Sequence, residues 1–242
     1  MTLHITPIPL FSDNYAWLLK DSATGTTAVV DPADPGPIEA AVMAAGGRLD
    51  LIFLTHHHDD HIAGTDAVRA KFGARVFGAA ADARRLPKLD QPLRQGDSVA
   101  VGDSVGTVLE TPGHTIGHIS FYFPGAPPAL FSGDTLFSLG CGKLLEGTAA
   151  DMYGSLQKFA ALPDSTLVYC GHEYTASNAR FALTVEPDNA ALRERAAEVT
   201  RQRAAGQSTV PTTMAQEKAA NPFMRAKSVE ELGRIRAAKD RF

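Results

Sequence analysis

The segment Thr55–His61, with the sequence THHHDDH, concentrates side chains that bind transition metals. It directly follows the apolar run LDLIFL and precedes a helical pattern. Because side chains alternate along an extended chain, His56 and His58 point the same way and can reach one ion. Asp60 and His61 lie where the chain turns into the helix, so we expect them to face a second, nearby ion. These residue types suit zinc or a similar first-row ion.

One segment cannot complete two coordination shells, so further ligands must come from elsewhere in the chain. Three residues fit, because each follows an apolar strand and lies beside a glycine: His114 in TPGHTIGH, Asp134 in FSGDT and His172 in CGHE. We therefore predict two metal groups joined by a carboxylate, with a position left open for a bridging hydroxide. The first group is His56, His58 and His114, the second is Asp60, His61 and His172, and the bridge is Asp134.

The remaining histidines have a plainer interpretation. A single histidine on a strand is more often a packed or surface residue than a metal ligand, so His4, His57 and His118 are left out of the predicted set. Five of the eight histidines belong to the set, which makes a chance arrangement a poor explanation. Asp31, at the end of the apolar run TTAVVD, is interpreted as a turn residue or as a support for the ligands.

Length and composition exclude several classes of protein. The 242 residues, 44% hydrophobic and 21% charged, are typical of a globular chain rather than a disordered one. The net charge of −4 gives no electrostatic footprint for nucleic acid. We find no apolar run of membrane-spanning length and expect no secretory signal. Cys141 and Cys170 are too few for a disulfide framework, so we interpret them as packed residues and expect a cytoplasmic location.

The elements that must position the ligands are short strands and helices in the first part of the chain. Apolar or β-branched runs predict strands at 26–31, 49–55, 75–77, 104–110, 119–123, 129–131 and 166–170. Helical patterns that each end before a glycine or proline predict helices at 37–45, 62–72 and 152–162. Strands mixed with helices predict a layered α/β or α+β domain.

The chain changes character near residue 172, after which the strand signals vanish. A helix rich in Ala, Arg and Glu is predicted over 188–205. Ser228 and Glu231 form a capping box that opens a last helix, ending near Lys239. The stretch 206–222 between these helices is predicted as a loop with at most a short helical turn. We therefore predict two domains, residues 1–172 and residues 173–242.

Several segments of the chain together resemble the hydroxyacylglutathione hydrolases, or glyoxalase II, of the metallo-β-lactamase superfamily. They are TxHHHxDHIxG, TPGHTxGHI, FSGDTLFxxGCG, YCGHEYT, a VEPDN-like segment and NPFMR. The resemblance covers nearly the whole chain. It implies an α+β fold, a four-layer αββα sandwich with a binuclear metal site in 1–172, and a C-terminal helical substrate-binding domain in 173–242. All seven predicted ligands coincide with ligands of the family.

The resemblance also implies residues that bind the glutathione part of a substrate. Lys143 matches the lysine after the family's GCG turn, Tyr174 matches the tyrosine of GHEYT, and Arg236 and Lys239 match the family's basic ending. A protein of net charge −4 needs fixed cations to hold the two carboxylates of glutathione. The plainer alternatives are a surface lysine at 143 and a solvated helix face at 236 and 239. Where the family often has an aromatic residue, this chain has Leu145, so one hydrogen bond to the peptide is expected to be missing.

The reaction implied by the resemblance is hydrolysis of S-D-lactoylglutathione to D-lactate and glutathione, the second step of methylglyoxal detoxification. Two divalent ions, zinc first with iron or manganese as alternatives, would lower the pKa of a shared water, and the resulting hydroxide would attack the thioester. Asp60 and Asp134 are the predicted catalytic residues, because they orient the second ion and keep the two ions close. A thiolate leaving group needs no strong general acid.

Other functions stay open at the level of sequence. Within the superfamily the alternatives are a lactonase, a β-lactamase and a mononuclear iron persulfide dioxygenase. Lys143 and the basic last helix favour a glutathione substrate over the first two, and an intact second ligand group argues against the third. A metal-binding or sensor protein without turnover is the alternative from another class. We expect a monomer that acts on a small molecule, without nucleic-acid or membrane partners.

Overall fold

The computed structural model describes residues 3–242, whose centre is a pair of six-stranded sheets that share one core. In spatial order, the first sheet contains β1 (Leu3–Leu10), β2 (Asn14–Asp21), β3 (Thr27–Val30), β4 (Leu51–Phe53), β5 (Arg75–Ala79) and β6 (Gln91–Leu93). Strands β1 to β3 are antiparallel neighbours, and β3 to β6 run parallel. The parallel strands deliver their carboxyl ends to one edge of the sheet.

The second sheet is mostly antiparallel and supplies the other half of that edge. Its strands are β7 (Ser98–Val101), β8 (Ser104–Glu110), β9 (Ile119–Phe123), β10 (Ala129–Gly133), β13 (Leu167–Cys170) and β14 (Thr212–Thr213). They lie in the order β14-β13-β10-β9-β8-β7, and β10 pairs with β13 in parallel. A separate hairpin consists of β11 (Leu136–Phe137) and β12 (Gly140–Cys141).

Helices cover the outer faces of both sheets. They are α1 (Pro35–Ala44), α2 (Asp59–Ile62), α3 (Thr65–Phe72), α4 (Ala149–Ala160), α5 (Thr175–Val185), α6 (Ala190–Ala204), α7 (Met214–Ala220), α8 (Pro222–Arg225) and α9 (Val229–Lys239). Buried residues of α1 and α3 pack with the first sheet, and those of α4, α5, α8 and α9 pack with the second. The layers therefore run helix, sheet, sheet, helix. Within residues 3–242, no helix is both long enough and apolar enough to cross a bilayer.

Aromatic side chains join the two sheets. Phe53 of β4 and Phe121 of β9 are fully buried, and their ring centroids lie 4.9 Å apart. Trp17 of β2 donates its indole N–H to the Cys170 carbonyl of β13 at 3.0 Å, which satisfies a polar group inside the core. These contacts hold the strand ends of the two sheets at a constant separation.

The predicted elements are largely present, and the differences have local causes. Strand β1 was not predicted, because Pro7 and Pro9 interrupt an alternating pattern on what proves to be an edge strand. Strand β2 was also missed, although it contains no proline. The predicted helix 62–72 is divided at Gly64. A Cβ at this position would lie 2.5 Å from the Pro32 carbonyl oxygen, so only glycine fits there.

The C-terminal part contains more structure than the sequence analysis predicted. Helix α5 was missed, and the predicted loop 206–222 contains β14 and α7. The capping box of Thr213 and Gln216 opens α7, and this signal was readable in the sequence.

We expect Phe121→Ala to lower the free energy of unfolding by about 3–5 kcal/mol, because it leaves a cavity between the sheets. Urea unfolding followed by circular dichroism measures the change. Phe11→Ala is the matched control, since the Phe11 side chain is 61% exposed. Equal effects of the two substitutions would contradict the assignment of Phe121 to the shared core.

Candidate functional site

The seven predicted metal ligands meet at the edge where strands of both sheets end. The first sheet contributes the loop after β4, with His56 and His58, and the short helix α2, with Asp60 and His61. The second sheet contributes His114 after β8, Asp134 after β10 and His172 after β13. Residues far apart in the chain are therefore placed together by the pairing of the strands.

Three imidazoles form the first group. His58 Nδ1 lies 3.1 Å from His56 Nε2 and 3.0 Å from His114 Nε2. The three ring nitrogens lie within 4.8 Å of one another, and His56 is fully buried. Imidazole nitrogens that converge in this way are the donor set of a zinc-type site.

Two imidazoles and a carboxylate form the second group. His61 Nε2 and His172 Nε2 lie 3.3 Å apart, and Asp60 Oδ2 lies 3.8 Å from the first and 3.5 Å from the second. The Asp60 side chain is about half exposed, whereas both histidines are buried. The group therefore opens to solvent on the Asp60 side only.

Asp134 lies between the two groups and contacts both. Its Oδ2 is 3.6 Å from His114 Nε2 and 3.3 Å from His172 Nε2, and its Oδ1 is 3.4 Å from His61 Nε2. The carboxylate is buried, and Oδ1 accepts no hydrogen bond. A buried carboxylate oxygen without a donor requires a cation nearby, so the residues present fit a pair of metal ions bridged by Asp134.

The protein orients four of these imidazoles through their other ring nitrogen. Each Nδ1 faces a protein oxygen, which directs the lone pair of Nε2 toward the centre of the site. The partners are the Thr55 hydroxyl for His56 at 3.0 Å, Asp31 for His61 at 3.0 Å, the Lys143 carbonyl for His114 at 2.8 Å and Asp13 for His172 at 3.2 Å. This arrangement selects the tautomer that binds metal through Nε2.

Burial and mutual charge govern ionisation in the cluster. Burial, together with the neighbouring His61, holds the pKa of His56 well below its usual range, so His56 is a neutral donor. Burial alone would raise the pKa of Asp134, but the charges of His61 and His172 hold it well below its usual range. The ionised Asp134 in turn raises the pKa of His61 and of His172, against the effect of burial. Asp134 thus favours the protonated, positively charged forms of His61 and His172.

Asp31 supports the site as the sequence analysis expected. Its carboxylate accepts hydrogen bonds from the Thr55 backbone N–H at 2.8 Å and from the Thr55 hydroxyl at 2.7 Å, in addition to its contact with His61. Its φ of +54° lies in the left-handed region, which is strained for a residue with a side chain. Three bonds to one carboxylate hold that conformation in place.

The sequence analysis missed Asp13 and Asn14. Asn14 Nδ2 donates to the Asp60 carboxylate at 3.0 Å and to the Asp60 carbonyl at 3.1 Å, while Asp13 faces His172. Both lie at the β1–β2 turn, where the polar stretch Ser-Asp-Asn is typical of any hairpin. These two residues reach the second donor group only because β13 lies beside the start of β2 in the folded protein.

His57 and His118 lie beside the cluster without belonging to its donor groups. His118 Nε2 accepts a hydrogen bond from the Asp134 backbone N–H at 3.1 Å.

Gly133 has a φ of +47°, and a Cβ there would lie 2.7 Å from His118 Nε2. At Gly171 a Cβ would collide with Asp134 Oδ1. The glycines beside the ligands therefore permit the close approach that the sequence analysis predicted.

A cavity of about 270 Å³ lies next to the cluster, and it collects the other predicted site residues. Lys143, Tyr174, Arg236 and Lys239 all line it. The Tyr174 ring stacks on His172, with centroids 4.5 Å apart and planes within 5°. Tyr174 therefore connects the second donor group to a cavity that three cationic side chains line.

Arg236 and Lys239 differ in what they contact. Arg236 is buried, donates to the Cys141 carbonyl at 2.7 Å and pairs with Asp240 at 3.0 Å. Lys239 lies near the Ser177 hydroxyl at 3.3 Å, and its Nζ has no carboxylate partner in the described part of the chain. Arg236 thus secures the turn that leads to Lys143, whereas Lys239 keeps its charge free for the cavity.

The hairpin β11–β12 that borders the cavity is held by residues of the C-terminal helices. Asn221 Nδ2 donates to the carbonyls of Phe137 at 3.2 Å and Gly140 at 3.0 Å, and Glu217 Oε2 accepts from the Leu139 N–H at 2.9 Å. Leu139 has a φ of +58°. Burial raises the pKa of Glu217. The helical part of the chain therefore shapes the cavity wall as well as lining it.

Comparisons with known proteins agree with this architecture. Residues 11–172 match the family model of the metallo-β-lactamase superfamily, and residues 173–242 match the hydroxyacylglutathione hydrolase C-terminus. The hydroxyacylglutathione hydrolase of Acidiphilium cryptum (strain JF-5) is 57% identical over 98% of this chain and 96% of its own. The crystal structure of ETHE1 from Myxococcus xanthus superposes with a TM-score of 0.74 at 30% identity, covering 98% of this chain and 90% of that one.

A further solved structure, TTHA1623 in a di-iron-bound form, superposes with a TM-score of 0.59 at 28% identity, covering 69% of this chain and 91% of that one. The fold and the paired donor groups thus define a member of the metallo-β-lactamase superfamily. The predicted α+β sandwich with C-terminal helices is confirmed. Within the superfamily, the chain belongs to the hydroxyacylglutathione hydrolase family.

The buried Glu217 makes stability depend on pH. Its raised folded-state pKa means that stability is full below the unfolded pKa, near 4.5, and falls as pH rises toward the folded value. Glu217→Gln keeps an acceptor for Leu139 and removes the ionisation. We therefore expect the variant to gain stability relative to the parent as pH rises from 4.5 to 8.

Urea unfolding of the parent and of Glu217→Gln across that pH range gives the difference in their free energies of unfolding. Contributions from ionisable groups that the two proteins share cancel in this difference. Glu194→Gln, at an exposed position of α6, is the control and is expected to give a flat difference. A flat difference for Glu217→Gln as well would contradict the burial of an ionisable carboxyl at the hairpin.

Proposed function

We propose that this protein is a binuclear metal-dependent thioester hydrolase that cleaves S-D-lactoylglutathione to D-lactate and glutathione. The reaction is the second step of methylglyoxal detoxification. One observation carries the proposal: two groups of metal-donor side chains lie beside a cavity lined by three cationic side chains, and Tyr174 of that cavity stacks on His172 of the second group. The family membership and the name of the relative from Acidiphilium cryptum support the same activity.

Two ions would be held by the seven clustered ligands. His56, His58 and His114 would hold the first, Asp60, His61 and His172 the second, and Asp134 both. Zinc is our first choice because neutral imidazoles dominate the donor set, and iron and manganese are alternatives that the same atoms accept. The di-iron form of TTHA1623 shows that a related fold takes iron.

When bound, the ions supply a nucleophilic hydroxide at neutral pH and polarise the thioester carbonyl. The chain supplies the geometry. Asn14 holds Asp60, whose side chain is about half exposed, so that the carboxylate can accept a hydrogen bond from the attacking group. Asp134 balances charge between the donor groups. Glutathione leaves as a thiolate without a general acid, because the thiolate is only weakly basic.

The cavity residues would bind the glutathione part. Lys143 and Lys239 offer ammonium groups to its carboxylates, and Tyr174, stacked on His172, directs the peptide toward the metal centre. Arg236 acts chiefly by holding the Cys141 carbonyl at the turn before Lys143. Leu145 is 55% exposed and has no hydroxyl, so binding relies more on the lysines.

The alternatives are less well supported. A persulfide dioxygenase would use one ion, whereas the second donor group here is as complete as the first. A metal-binding protein without turnover would not need the cavity beside it. A β-lactamase or a lactonase would have no use for three cationic side chains in the wall of this cavity.

We also propose that the protein acts as a cytoplasmic monomer. Cys141 and Cys170 are buried free thiols, which suits a reducing compartment. The net charge of −4 gives no support to a nucleic-acid partner.

The zinc-loaded protein is expected to hydrolyse S-D-lactoylglutathione, followed by loss of thioester absorbance, and to leave a chromogenic β-lactam nearly untouched. Asp134→Ala should lose bound metal, measured by elemental analysis, and lower activity at least roughly a hundredfold. Asp66→Ala, on the exposed face of α3, is the control and should keep both. Preferential β-lactam hydrolysis, or an active and metal-loaded Asp134→Ala, would overturn the proposal.

Substitutions of the two cationic residues of α9, Lys239 and Arg236, should differ in their effects on stability. Lys239→Ala is expected to raise KM for the thioester roughly tenfold with little change in stability, because it removes a charged contact from the cavity. Arg236→Ala should in addition lower the free energy of unfolding by about 1–3 kcal/mol, since it leaves the buried Cys141 carbonyl unpaired. Steady-state kinetics and urea unfolding measure both; equal stabilities of the two variants would contradict the structural role of Arg236.

A further inference from the structure

The segment between Lys143 and Glu146 serves both the first metal group and the cavity. The Lys143 carbonyl accepts the Nδ1 hydrogen of His114 at 2.8 Å, and the backbone N–H groups of Leu145 and Glu146 donate to the His114 carbonyl at 3.3 Å. The Lys143 side chain lines the cavity. Movement of this short segment would therefore disturb a metal ligand and a substrate contact together.

The segment forms no helix or strand, and Glu146 is its charged anchor. Both Glu146 oxygens accept from the Arg85 guanidinium, which is a bidentate pair, and Oε2 also accepts from the Ile116 N–H at 2.9 Å. Pairing with Arg85 lowers the pKa of Glu146 to about 2, so the carboxylate stays ionised. Bidentate pairs of this kind fix direction as well as distance.

Arg85 is itself fixed to the loop of the first metal group. Its Nε donates to Asp82 Oδ1 at 2.5 Å, and the other oxygen of the buried Asp82 lies 2.8 Å from His57 Nδ1. His57 separates the two ligands His56 and His58 in the chain. A continuous path of charged contacts therefore runs from the His56–His58 loop through Asp82 and Arg85 to Glu146.

We propose that Arg85 and Glu146 are positioning residues that set the Lys143–Glu146 segment against the His56–His58 loop. They touch neither the substrate nor the reacting atoms. They act on the substrate through Lys143 and on the first metal group through His114. The part that concerns the substrate rests on the proposed hydrolase activity, whereas the part that concerns metal does not.

The test compares Arg85→Met, Glu146→Gln and the double variant with the parent protein. Arg85→Met is expected to raise KM for S-D-lactoylglutathione roughly threefold to fivefold, with kcat nearly unchanged at saturating zinc. It should also weaken retention of one of the two zinc ions about tenfold in competition with a chromogenic chelator. Glu146→Gln, which keeps an acceptor and loses the charge, should give smaller changes in the same direction.

The double variant should match Arg85→Met, because residues that act through each other are not additive. Arg69→Met is the control, because Arg69 also pairs with an aspartate that accepts a backbone N–H: its Nη2 donates to both oxygens of Asp90, and Asp90 accepts from the Val76 N–H. Changes in KM and zinc retention no larger than those of Arg69→Met would overturn the proposal, as would additive effects in the double variant.

The two proposals can fail separately. If the parent protein does not hydrolyse the thioester, the proposed function fails, and zinc retention alone still decides whether Arg85 and Glu146 position His114. If Arg85→Met does not fold, Glu146→Gln carries the comparison, since glutamine keeps the shape of the side chain and one acceptor oxygen while it removes the bidentate pair with Arg85. Equal zinc retention in Glu146→Gln and the parent would then count against the proposal.

Discussion

The burial of one carboxylate governs the arrangement of this protein. Asp134 lies under both sheets' strand ends, with imidazole nitrogens of both donor groups 3.3–3.6 Å from its oxygens. A buried negative charge is costly unless positive charge surrounds it, and the raised pKa of His61 and of His172 reflects that demand. Two cations at this point would satisfy Asp134 and the histidines together. The requirement that stabilises Asp134 is thus the one that would bring metal ions to the site.

The supporting contacts explain why the donors stay in place. Thr55, Asp31, Asp13 and the Lys143 carbonyl each face one ligand through its Nδ1. Thr55 is the chain neighbour of His56, whereas the other three partners lie 29 to 159 positions from the ligands that they orient. The C-terminal helices support the cavity in the same way, through hydrogen bonds between side chains and distant backbone. Their Asn221 and Glu217 hold the β11–β12 hairpin, and Arg236 holds the turn that follows it. Binding and catalysis thus share one supporting framework.

Much of the fold and the site was predictable from sequence because the signals were local. Alternation along a strand brings His56 and His58 to one side, and a glycine before each of His114, Asp134 and His172 marks a strand end where the backbone is crowded. Some elements were missed: β1 contains two prolines and depends on its pairing with β2, whereas α7 is short but opens with a capping box that the sequence shows.

Residue types and spacing by themselves determined the class of fold and predicted a metal-binding chemistry and a ligand set, because coordination restricts which side chains can serve and strand ends restrict where they lie. Only the tertiary structure decided that Asp13 and Asn14 face the second group, that Arg236 is buried, and that Arg85 reaches Glu146. These contacts join residues up to 159 positions apart. A single polar residue in a turn or on a helix carries no local mark of its partner, since that pairing arises when the sheets and helices pack.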